Sequence, residues 1–390
     1  MDLRLGTFNV WGLPEPFTED RAARMDAIAA RLMDLDLDVL LIQEAWTDEV
    51  RDRLREGALR AGFEVAEAAE APGGGLMTLA RMPIHSSRFE RFWFRGDPER
   101  LTKGEFLGGK GFQTLTLDRD DDTQVVVVNT HLLASYRDAR PQLNSAVRAA
   151  QLLQLVEALG RIDGIAIVGG DFNCTPADPE YRIFTRLSGA VEVEGEDPGH
   201  PTISRTNYYK RHRDHPDKRI DYLFVRSGSN DRWAASEHGL LFHEPARLGG
   251  RSRPLSDHFG FRSTLRLSAP NVPAALSPSK DASADPQTLE LAGRLLDLGM
   301  AEADRREQAH LTQAGAWVLG AALAAAVRRH PRIDRRRFLR GIAGATAAIS
   351  LAPALGFTTL ARFDSDRKRE AFDEARQVLA ELRASSARSV

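Results

Sequence analysis

The chain has 390 residues, of which 42% are hydrophobic and 28% are charged. This composition is typical of a folded globular protein and excludes a disordered or collagen-like chain. Residues 1–270 carry 35 Lys and Arg against 41 Asp and Glu, whereas residues 271–390 carry 18 against 14. The acidic body argues against a dedicated nucleic-acid-binding protein, which would present a strongly basic face.

The cysteine count and the first residues bear on the cellular compartment. A single cysteine, Cys174, excludes an internal disulfide framework. The first residues run directly into a predicted strand, without the basic start and apolar stretch of a secretory signal. We therefore expect a cytoplasmic catalytic domain.

Strands and helices alternate along the first part of the chain. Residues 3–10 predict a buried strand, and apolar residues spaced by three and four from Met25 to Leu35 predict a helix. Further strands are predicted at 39–43, 73–81, 87–94, 111–117, 125–129, 165–168, 220–225 and 260–267, with a helix at 148–159. This pattern predicts an α/β fold of two packed sheets flanked by helices.

The composition changes after residue 268. We predict a catalytic domain at 1–268, a Pro- and Ser-containing linker at 269–288 and a helical tail at 289–390. Two uncharged stretches of the tail, 311–327 and 341–361, flank a connector rich in arginine. Its arginines are Arg328, Arg329, Arg332, Arg335, Arg336, Arg337 and Arg340.

The tail pattern predicts a membrane-associated helical hairpin with its basic loop on the cytoplasmic side. The first stretch is shorter than the roughly 20 residues that span a bilayer, and Pro353 interrupts the second. A soluble helical hairpin, or one lying in the membrane interface, is therefore an open alternative.

Polar side chains follow the ends of several predicted strands of the first domain. Because strand ends of an α/β sheet meet at one edge, we expect these side chains to converge on a crevice. Each has a structural explanation when taken singly, but together they form a set suited to metal binding and proton transfer at phosphate. They are Asn9, Glu44, Asn129, His131, Asp171, Asn173, Asp221, Asp257 and His258.

The motifs FNVWG, QE, NTHL, GGDFN, RIDY and SDH occur in this order along the chain. The ordered set resembles the endonuclease/exonuclease/phosphatase superfamily over residues 3–267. The resemblance implies a four-layer α/β sandwich. It also implies in-line attack of water on a phosphate ester with Mg²⁺ as cofactor and Mn²⁺ as the alternative metal.

The resemblance implies roles for individual residues. Glu44 would be the main magnesium ligand, with Asn9 beside it as a further metal residue. Asp171 and Asn173 would position or activate the attacking water and the scissile phosphate. His131 would hydrogen-bond the phosphoryl oxygens.

The last two motifs carry the remaining roles. The resemblance implies that His258, oriented by Asp257, is a general base or a stabiliser of the transition state. Asp221 of RIDY would support the catalytic site from behind, next to Arg219.

Several features resemble the neutral sphingomyelinases within this superfamily. Trp11 stands where many nucleases of the superfamily place a second acidic ligand. Lys110, in a Gly-Gly-Lys-Gly segment, would lie near the lipid phosphate, although a hairpin-turn lysine is the alternative. Tyr208 and Tyr209 precede RIDY and would contact the headgroup, where aromatic faces attract a quaternary ammonium. A basic loop that grips a nucleic-acid backbone is the alternative for this segment.

We therefore predict a sphingomyelinase-like, Mg²⁺-dependent phosphodiesterase. It would release phosphocholine or a similar headgroup from a phospholipid and associate with the membrane through its tail. Two alternatives remain: an AP-endonuclease-like DNA nuclease and an inositol-phosphate-type phosphatase. Nucleic acid is the less favoured partner because of Trp11, the acidic body and the apolar tail.

Overall fold

The computed structural model describes residues 2–68, 74–94, 109–119, 123–134, 141–195, 199–211, 216–228, 232–268, 285–329 and 337–388. Residues 330–336 of the arginine connector and most of the predicted linker, 269–284, lie outside these residues. The described strands are β1 (Asp2–Asn9), β2 (Val39–Gln43), β3 (Glu64–Glu67), β4 (Met77–Ala80), β5 (Ile84–Arg91), β6 (Gly111–Asp118), β7 (Gln124–His131), β8 (Ala166–Asp171), β9 (Val191–Glu192), β10 (Asp221–Arg226), β11 (Arg232–Leu241), β12 (Ala246–Leu248), β13 (Arg251–Arg253) and β14 (Gly260–Ser268). The described helices are α1 (Arg21–Arg31), α2 (Asp48–Arg60), α3 (Pro141–Gly160), α4 (Pro179–Ser188), α5 (Pro286–Arg329) and α6 (Arg337–Arg388).

Within the described ranges the longer strands form two sheets. The first has the order β11-β14-β1-β2-β4-β3 and the second the order β5-β6-β7-β8-β10-β9. A parallel pair lies at the centre of each sheet, β1 with β2 and β7 with β8. Every residue of β2 is buried, because a central parallel strand is covered on both faces.

The two sheets face each other across an apolar core that includes Leu5, Leu41, Val127 and Ile167. The outer face of the first sheet packs on α1 and α2, and that of the second packs on α3 and α4. The layer order is helix, sheet, sheet, helix. The predicted four-layer α/β sandwich is therefore confirmed.

Helix α2 begins close to the end of β2. The hydroxyl of Thr47 accepts a hydrogen bond from the Val50 backbone N–H and caps the helix. Asp48 and Glu49 lie in the first turn, where the helix dipole favours acidic side chains. The capped helix start leaves only a short turn after β2, and Glu44 lies in that turn.

Helices α5 and α6 form a hairpin whose two outer ends pack on α3. Leu296 of α5 and Phe372 of α6 belong to the same apolar core as Leu152 of α3. A methyl group added at Gly299 would lie 2.3 Å from the Phe372 ring and 2.9 Å from Ala146, so glycine permits this close contact. The other half of the hairpin exposes large apolar side chains, such as Leu319 at 61% and Leu355 at 70%.

Candidate active site

The register of the second sheet aligns three of the predicted site residues. His131 at the end of β7 pairs with Asp171 at the end of β8, and Asp171 pairs with Asp221 at the start of β10. Asn9 ends β1 of the first sheet, where it pairs with Gln43. Both sheets therefore deliver polar side chains to one end of the sandwich, as the strand-end pattern predicts.

The backbone is strained where it delivers these side chains. Glu44 has φ 62° and Asn173 has φ 51°, in the left-handed region that costs a non-glycine residue about 1–3 kcal/mol. The N–H of Gly12 donates to the Glu44 carbonyl at 3.0 Å, and a methyl group at Gly12 would lie 2.4 Å from that oxygen. A methyl group at Gly170 would lie 1.9 Å from the Thr130 carbonyl oxygen. Both glycines are thus needed for the close backbone approach beside the site.

Asn9 bridges the two sheets. Its Nδ2 donates to Glu44 Oε1 and to Asp171 Oδ2, each at 3.0 Å. Its Oδ1 accepts from the Trp11 backbone N–H at 3.0 Å, which determines the orientation of the amide because that N–H can only donate. Nδ2 of Asn9 therefore orients two carboxylates. Oδ1 accepts one hydrogen bond and has a second lone pair, so its predicted role beside the metal stays a prediction.

Glu44, His131 and Asp171 form a cluster that could hold a metal ion, with ligand atoms within 4.8 Å of one another. Glu44 Oε2 is buried and has no hydrogen-bond partner among the described residues. Burial, and after it the charge of Asp257, raises the pKa of Glu44. A divalent cation would supply the missing partner of Oε2 and favour the ionised form. Oxygen ligands suit Mg²⁺, so the Glu44 carboxylate fits the predicted metal, whereas His131 Nε2 lies 2.9 Å from Lys110 Nζ.

Lys110 lies inside this cluster. Its Nζ is 2.9 Å from His131 Nε2 and donates to the Leu132 carbonyl at 2.7 Å. Burial, together with the charges of Lys110 and His258, holds the pKa of His131 well below its ordinary value. His131 is therefore neutral, and Lys110 supplies the positive charge on this side of the cluster. The Asn173 amide also donates to the Leu132 carbonyl, at 3.0 Å.

His258 is held by Asp221. Its Nδ1 lies 3.0 Å from Asp221 Oδ2, whereas Asp257 forms an ion pair with Lys210 at 2.5 Å. The prediction that Asp257 orients His258 therefore differs from the structure. The reason is that the pairing of β8 with β10 brings Asp221 to the imidazole, whereas the Asp257 carboxylate pairs with Lys210.

Burial opposes the charged form of His258, but the attraction of Asp221 and Asp171 outweighs it and raises the pKa of His258 to about 9. Burial and the charge of Asp221 raise the pKa of Asp171 to about 7. Asp171 Oδ2 lies 3.5 Å from His131 Nε2 and 3.9 Å from His258 Nε2. Asp171 therefore belongs to the cluster with Glu44 and His131, which we call the metal-type cluster. It also belongs to a second group that could hold a metal, with Asp221 and His258.

The two tyrosines predicted to contact a headgroup are occupied by the protein itself. Arg211 and Arg253 lie 3.3 and 3.6 Å from the ring centre of Tyr208, distances that require one guanidinium on each face. The Tyr209 ring packs on Trp11 with centroids 5.0 Å apart, and its hydroxyl donates to Asp20 at 3.1 Å. Among the described residues, both faces of the Tyr208 ring are thus covered by arginines, and the Tyr209 ring is packed on Trp11.

Supporting residues surround the site. Gln43 donates to Asn129 Oδ1 at 2.8 Å between the sheets, so Asn129 lies in a polar network beneath the site. Ser256 Oγ donates to the Asn9 carbonyl at 2.6 Å, and its place in the SDH motif was the signal that could have identified it. Arg24 is fully buried beside the same loops. Sequence reasoning missed it because an arginine on an amphipathic helix normally faces solvent.

Curated relatives with similar sequences have names that refer to sphingolipids. A putative neutral sphingomyelinase of Drosophila melanogaster is 28% identical over 275 residues, covering 68% of this chain and 61% of that protein. One of Caenorhabditis elegans is 30% identical, covering 68% and 67%. An inositol phosphosphingolipids phospholipase C of Schizosaccharomyces pombe is 25% identical, covering 70% of each. The chain thus spans less than two thirds of the Drosophila protein.

Solved structures share the fold at low identity. Beta toxin from Staphylococcus aureus, a mutant with bound magnesium ions, has a TM-score of 0.55 and 18% identity over 67% of this chain and 99% of that one. Sphingomyelinase C from Streptomyces griseocarneus and a humanized D. rerio TDP2 each have a TM-score of 0.53 and 19% identity over 68% of this chain and 99% of theirs. Residues 6–258 match the Endonuclease/Exonuclease/phosphatase family. The chain belongs to this family.

Proposed function

We propose that the chain is a divalent-metal-dependent phosphodiesterase that hydrolyses the headgroup phosphate ester of a sphingolipid. The observation that carries this proposal is the position of Asp171 between the Glu44–His131 cluster and the Asp221–His258 pair. The names of the sequence relatives supply the substrate class. The solved structures do not discriminate, because TDP2 and sphingomyelinase C resemble this chain equally.

Mg²⁺, held by Glu44, would polarise a phosphoryl oxygen and offset the charge of the phosphate. Asn9 holds Glu44 Oε1 and Asp171 Oδ2 in place from one amide. Lys110 lies beside His131 of the same cluster and places a cation where negative charge would develop on the phosphoryl oxygens.

Asp171 is the candidate base for the attacking water. Its pKa of about 7 is matched to proton acceptance near neutral pH. The Asn173 backbone N–H donates to Asp171 Oδ1 at 2.9 Å, which leaves Oδ2 directed into the site. A water bonded to Oδ2 would give up its proton to this oxygen as it attacks phosphorus.

His258 is the candidate proton donor. With a pKa of about 9 it is charged at neutral pH, and Asp221 fixes its Nδ1, so Nε2–H remains for a phosphate or leaving-group oxygen. Of the two predicted roles, stabilisation of the transition state is thus favoured over general-base catalysis. Asp257 acts more remotely, through its ion pair with Lys210.

The structure and the relatives say less about the headgroup of the substrate than about its sphingolipid class. Tyr208 already contacts two arginines, so the cation–π part of the choline prediction has no support from this ring. The relatives include both sphingomyelinases and an enzyme named for inositol phosphosphingolipids. We therefore propose the sphingolipid phosphodiester as the substrate class, with both headgroups to be compared.

The tail is the proposed membrane attachment. By length and composition, helix α5 is long and apolar enough to cross a membrane. Only 17% of its most apolar 18-residue stretch is buried. Residues 311–327 carry no charge, and all of those after Thr312 and Gln313 are apolar or Gly, which suits lipid better than a single protein partner. Their 17 residues extend about 26 Å, less than the roughly 30 Å of a hydrocarbon core.

Two features favour a hairpin that enters the membrane surface without crossing it. Both outer ends pack on the catalytic domain, so a crossing hairpin would place its arginine connector on the opposite side of the membrane from that domain. A cytoplasmic loop and a cytoplasmic catalytic domain, both predicted from the sequence, are compatible only without crossing. Crossing would also carry seven arginines through hydrocarbon, at about 2.5–3.5 kcal/mol each at the centre.

A substrate panel tests the proposed function. The purified full chain is incubated with Mg²⁺ and mixed micelles of sphingomyelin or inositol phosphosphingolipid, and separately with abasic-site DNA and inositol phosphates. We expect release of the phosphorylated headgroup from lipid, lost on chelation and in His258→Ala. DNA nicking or phosphomonoester hydrolysis without lipid turnover would contradict the proposal.

A further inference from the structure

Arg24 of α1 is fully buried, yet it forms no ion pair with a carboxylate of the described residues. Burial lowers the pKa of Arg24 even though the charges of Asp257, Asp20 and Glu44 attract the guanidinium, so such a position needs strong compensation. The hydrogen-bond acceptors of the group are all uncharged. They are the carbonyls of Glu19 (2.9 Å), Val10 (2.8 Å), Leu255 (3.1 Å) and Trp11 (2.9 Å), and the hydroxyl of Thr18 (2.6 Å).

One nitrogen of Arg24 joins two active-site loops. Nη1 donates both to Val10, which follows Asn9, and to Leu255, which precedes Ser256. The same two loops are joined next to this point by Ser256 Oγ and the Asn9 carbonyl at 2.6 Å. Ser256 Oγ in turn accepts from the His258 backbone N–H at 3.2 Å. The guanidinium therefore holds the loop of Asn9 against the loop of His258.

A second nitrogen acts on the orientation of the Asn9 amide. Nη2 donates to the Trp11 carbonyl, and the guanidinium lies 4.8 Å from the centre of the Trp11 ring. Trp11 has φ 50°, a conformation that a tryptophan adopts only when its surroundings stabilise it. In this conformation its N–H donates to Asn9 Oδ1, which turns Nδ2 toward Glu44 and Asp171.

We propose that Arg24 is a positioning residue of the active site, which acts through Trp11 and Leu255 to set the Asn9 amide and the loop of His258. It forms no hydrogen bond with Glu44, His131 or Asp171, although its charge attracts Glu44. Loss of that charge alone would strengthen cation binding, whereas loss of positioning weakens it. The kinetic consequence rests on the proposed function, whereas the consequence for metal binding does not, because cation affinity is measured without substrate.

The test compares Arg24→Met with Arg81→Met. Arg81 also donates to three backbone carbonyls, of Leu35, Leu37 and Ala61, and lies 4.1 Å from the Phe63 ring. It lies at the opposite end of β2, where its backbone N–H bonds Asp38. Arg81→Met thus controls for the loss of a carbonyl-binding arginine away from the site.

We expect Arg24→Met to weaken the binding of Mn²⁺ or Mg²⁺, measured by calorimetry, by about 10–100-fold. It should lower kcat per folded molecule by about 10–100-fold as well, while KM stays within about twofold of the wild-type value. Arg81→Met should lower the melting temperature without either change. Thr18→Val removes one acceptor of Arg24 and should give the same changes in smaller measure, which keeps the test valid if Arg24→Met does not fold. Wild-type cation affinity and kcat in folded Arg24→Met or in Thr18→Val would overturn the inference. An inactive wild type with cation affinity that depends on Arg24 would overturn only the proposed function.

Discussion

The Nδ1 of His258 lies 3.0 Å from Asp221 Oδ2, although the two residues are 37 positions apart in the sequence. Asp221 starts β10, and its place opposite Asp171 is determined by the antiparallel register of β8 and β10. The imidazole is thus supported by the sheet, whereas its sequence neighbour Asp257 contacts Lys210 in a loop. Two carboxylates near one histidine consequently have different roles.

Replacement of Asp221 by Asn should lower kcat about 10²–10³-fold at neutral pH, because His258 loses the anion that keeps it charged and oriented. Asp257→Asn is the matched control, since it removes one carboxylate charge beside the same histidine. It should cost less in kcat and leave the pH dependence of kcat nearer to that of the wild type. A larger loss in Asp257→Asn than in Asp221→Asn would contradict this assignment.

The metal-free protein should lose stability as the pH rises from about 6.5 to about 9. Asp171 and His258 both have raised pKa values, about 7 and about 9, so the folded state binds more protons than the unfolded state across this range. Stability then falls with pH, by up to about 1.4 kcal/mol per unit for each extra proton held by the folded state. At lower pH the lowered pKa of His131 opposes the effect of Asp171.

Urea unfolding with a chelator, at several pH values, measures this effect. Mg²⁺ should restore stability mainly above pH 7, where the ionised Asp171 adds its negative charge to that of Glu44 beside the cation. In His258→Asn the decline between about pH 6.5 and 9 should disappear. A metal-free protein whose stability rises over this range would refute the proton assignment.

Replacement of Glu44 by Gln should weaken Mg²⁺ binding by about 100-fold or more, because the amide removes the anionic ligand oxygen. The same change should stabilise the metal-free protein, since burial disfavours the ionised carboxylate and the amide oxygen still accepts from Asn9. Calorimetric titration and thermal unfolding with chelator measure the two effects. Destabilisation of the metal-free protein would show that Glu44 has a mainly structural role.

Excision of residues 311–361, with a short Gly-Ser turn joining His310 to Arg362, should abolish binding to vesicles with anionic lipid. Turnover of a soluble phosphodiester should remain within about twofold, because the outer ends of the hairpin still cover α3. Removal of the whole tail would instead expose the surface that Leu296 and Phe372 cover, and should cause aggregation. Vesicle flotation and light scattering distinguish these outcomes.

Labelling of a cysteine at the distal end of α5 tests whether the hairpin crosses the membrane. Cys174 is buried at 1% exposure, so a cysteine placed at Val327 is labelled selectively. An impermeant maleimide added outside vesicles should label Val327→Cys when the protein is added from that side. If Val327→Cys is labelled only after detergent opens the vesicles, the hairpin crosses the membrane. Leu319→Cys serves as the control for a cysteine within the apolar stretch 311–327 of α5.

The α/β fold and most of the acidic site residues were predictable because both depend on local patterns. The apolar runs of β2 and β7 end at the polar residues that enter the site, Glu44 and His131. Helix α2 was not predicted, since its sequence is largely charged and its burial rests on a few residues such as Val50 and Leu54. Strand β11 also escaped prediction, because a register shift between Ser236 and Gly239 interrupts its alternation.

Contacts between distant segments were not predictable from residue types. The partner of His258 depends on strand register, and the partners of Tyr208 depend on where Arg253 lies after the chain folds. Arg24 carried no signal, because nothing in an amphipathic helix indicates which arginine will be enclosed by two loops. Packing of the tail on α3 likewise depends on Gly299, whose role becomes evident only beside Phe372.

The most direct test of the central claim is hydrolysis of sphingomyelin in mixed micelles by the full chain in ¹⁸O-labelled water with Mg²⁺, analysed by mass spectrometry. We expect phosphocholine that carries one ¹⁸O atom, formed by attack of water on phosphorus, and none from Glu44→Gln or after chelation. Unlabelled phosphocholine, or turnover of neither sphingomyelin nor inositol phosphosphingolipid under conditions where abasic-site DNA is cleaved, would contradict it.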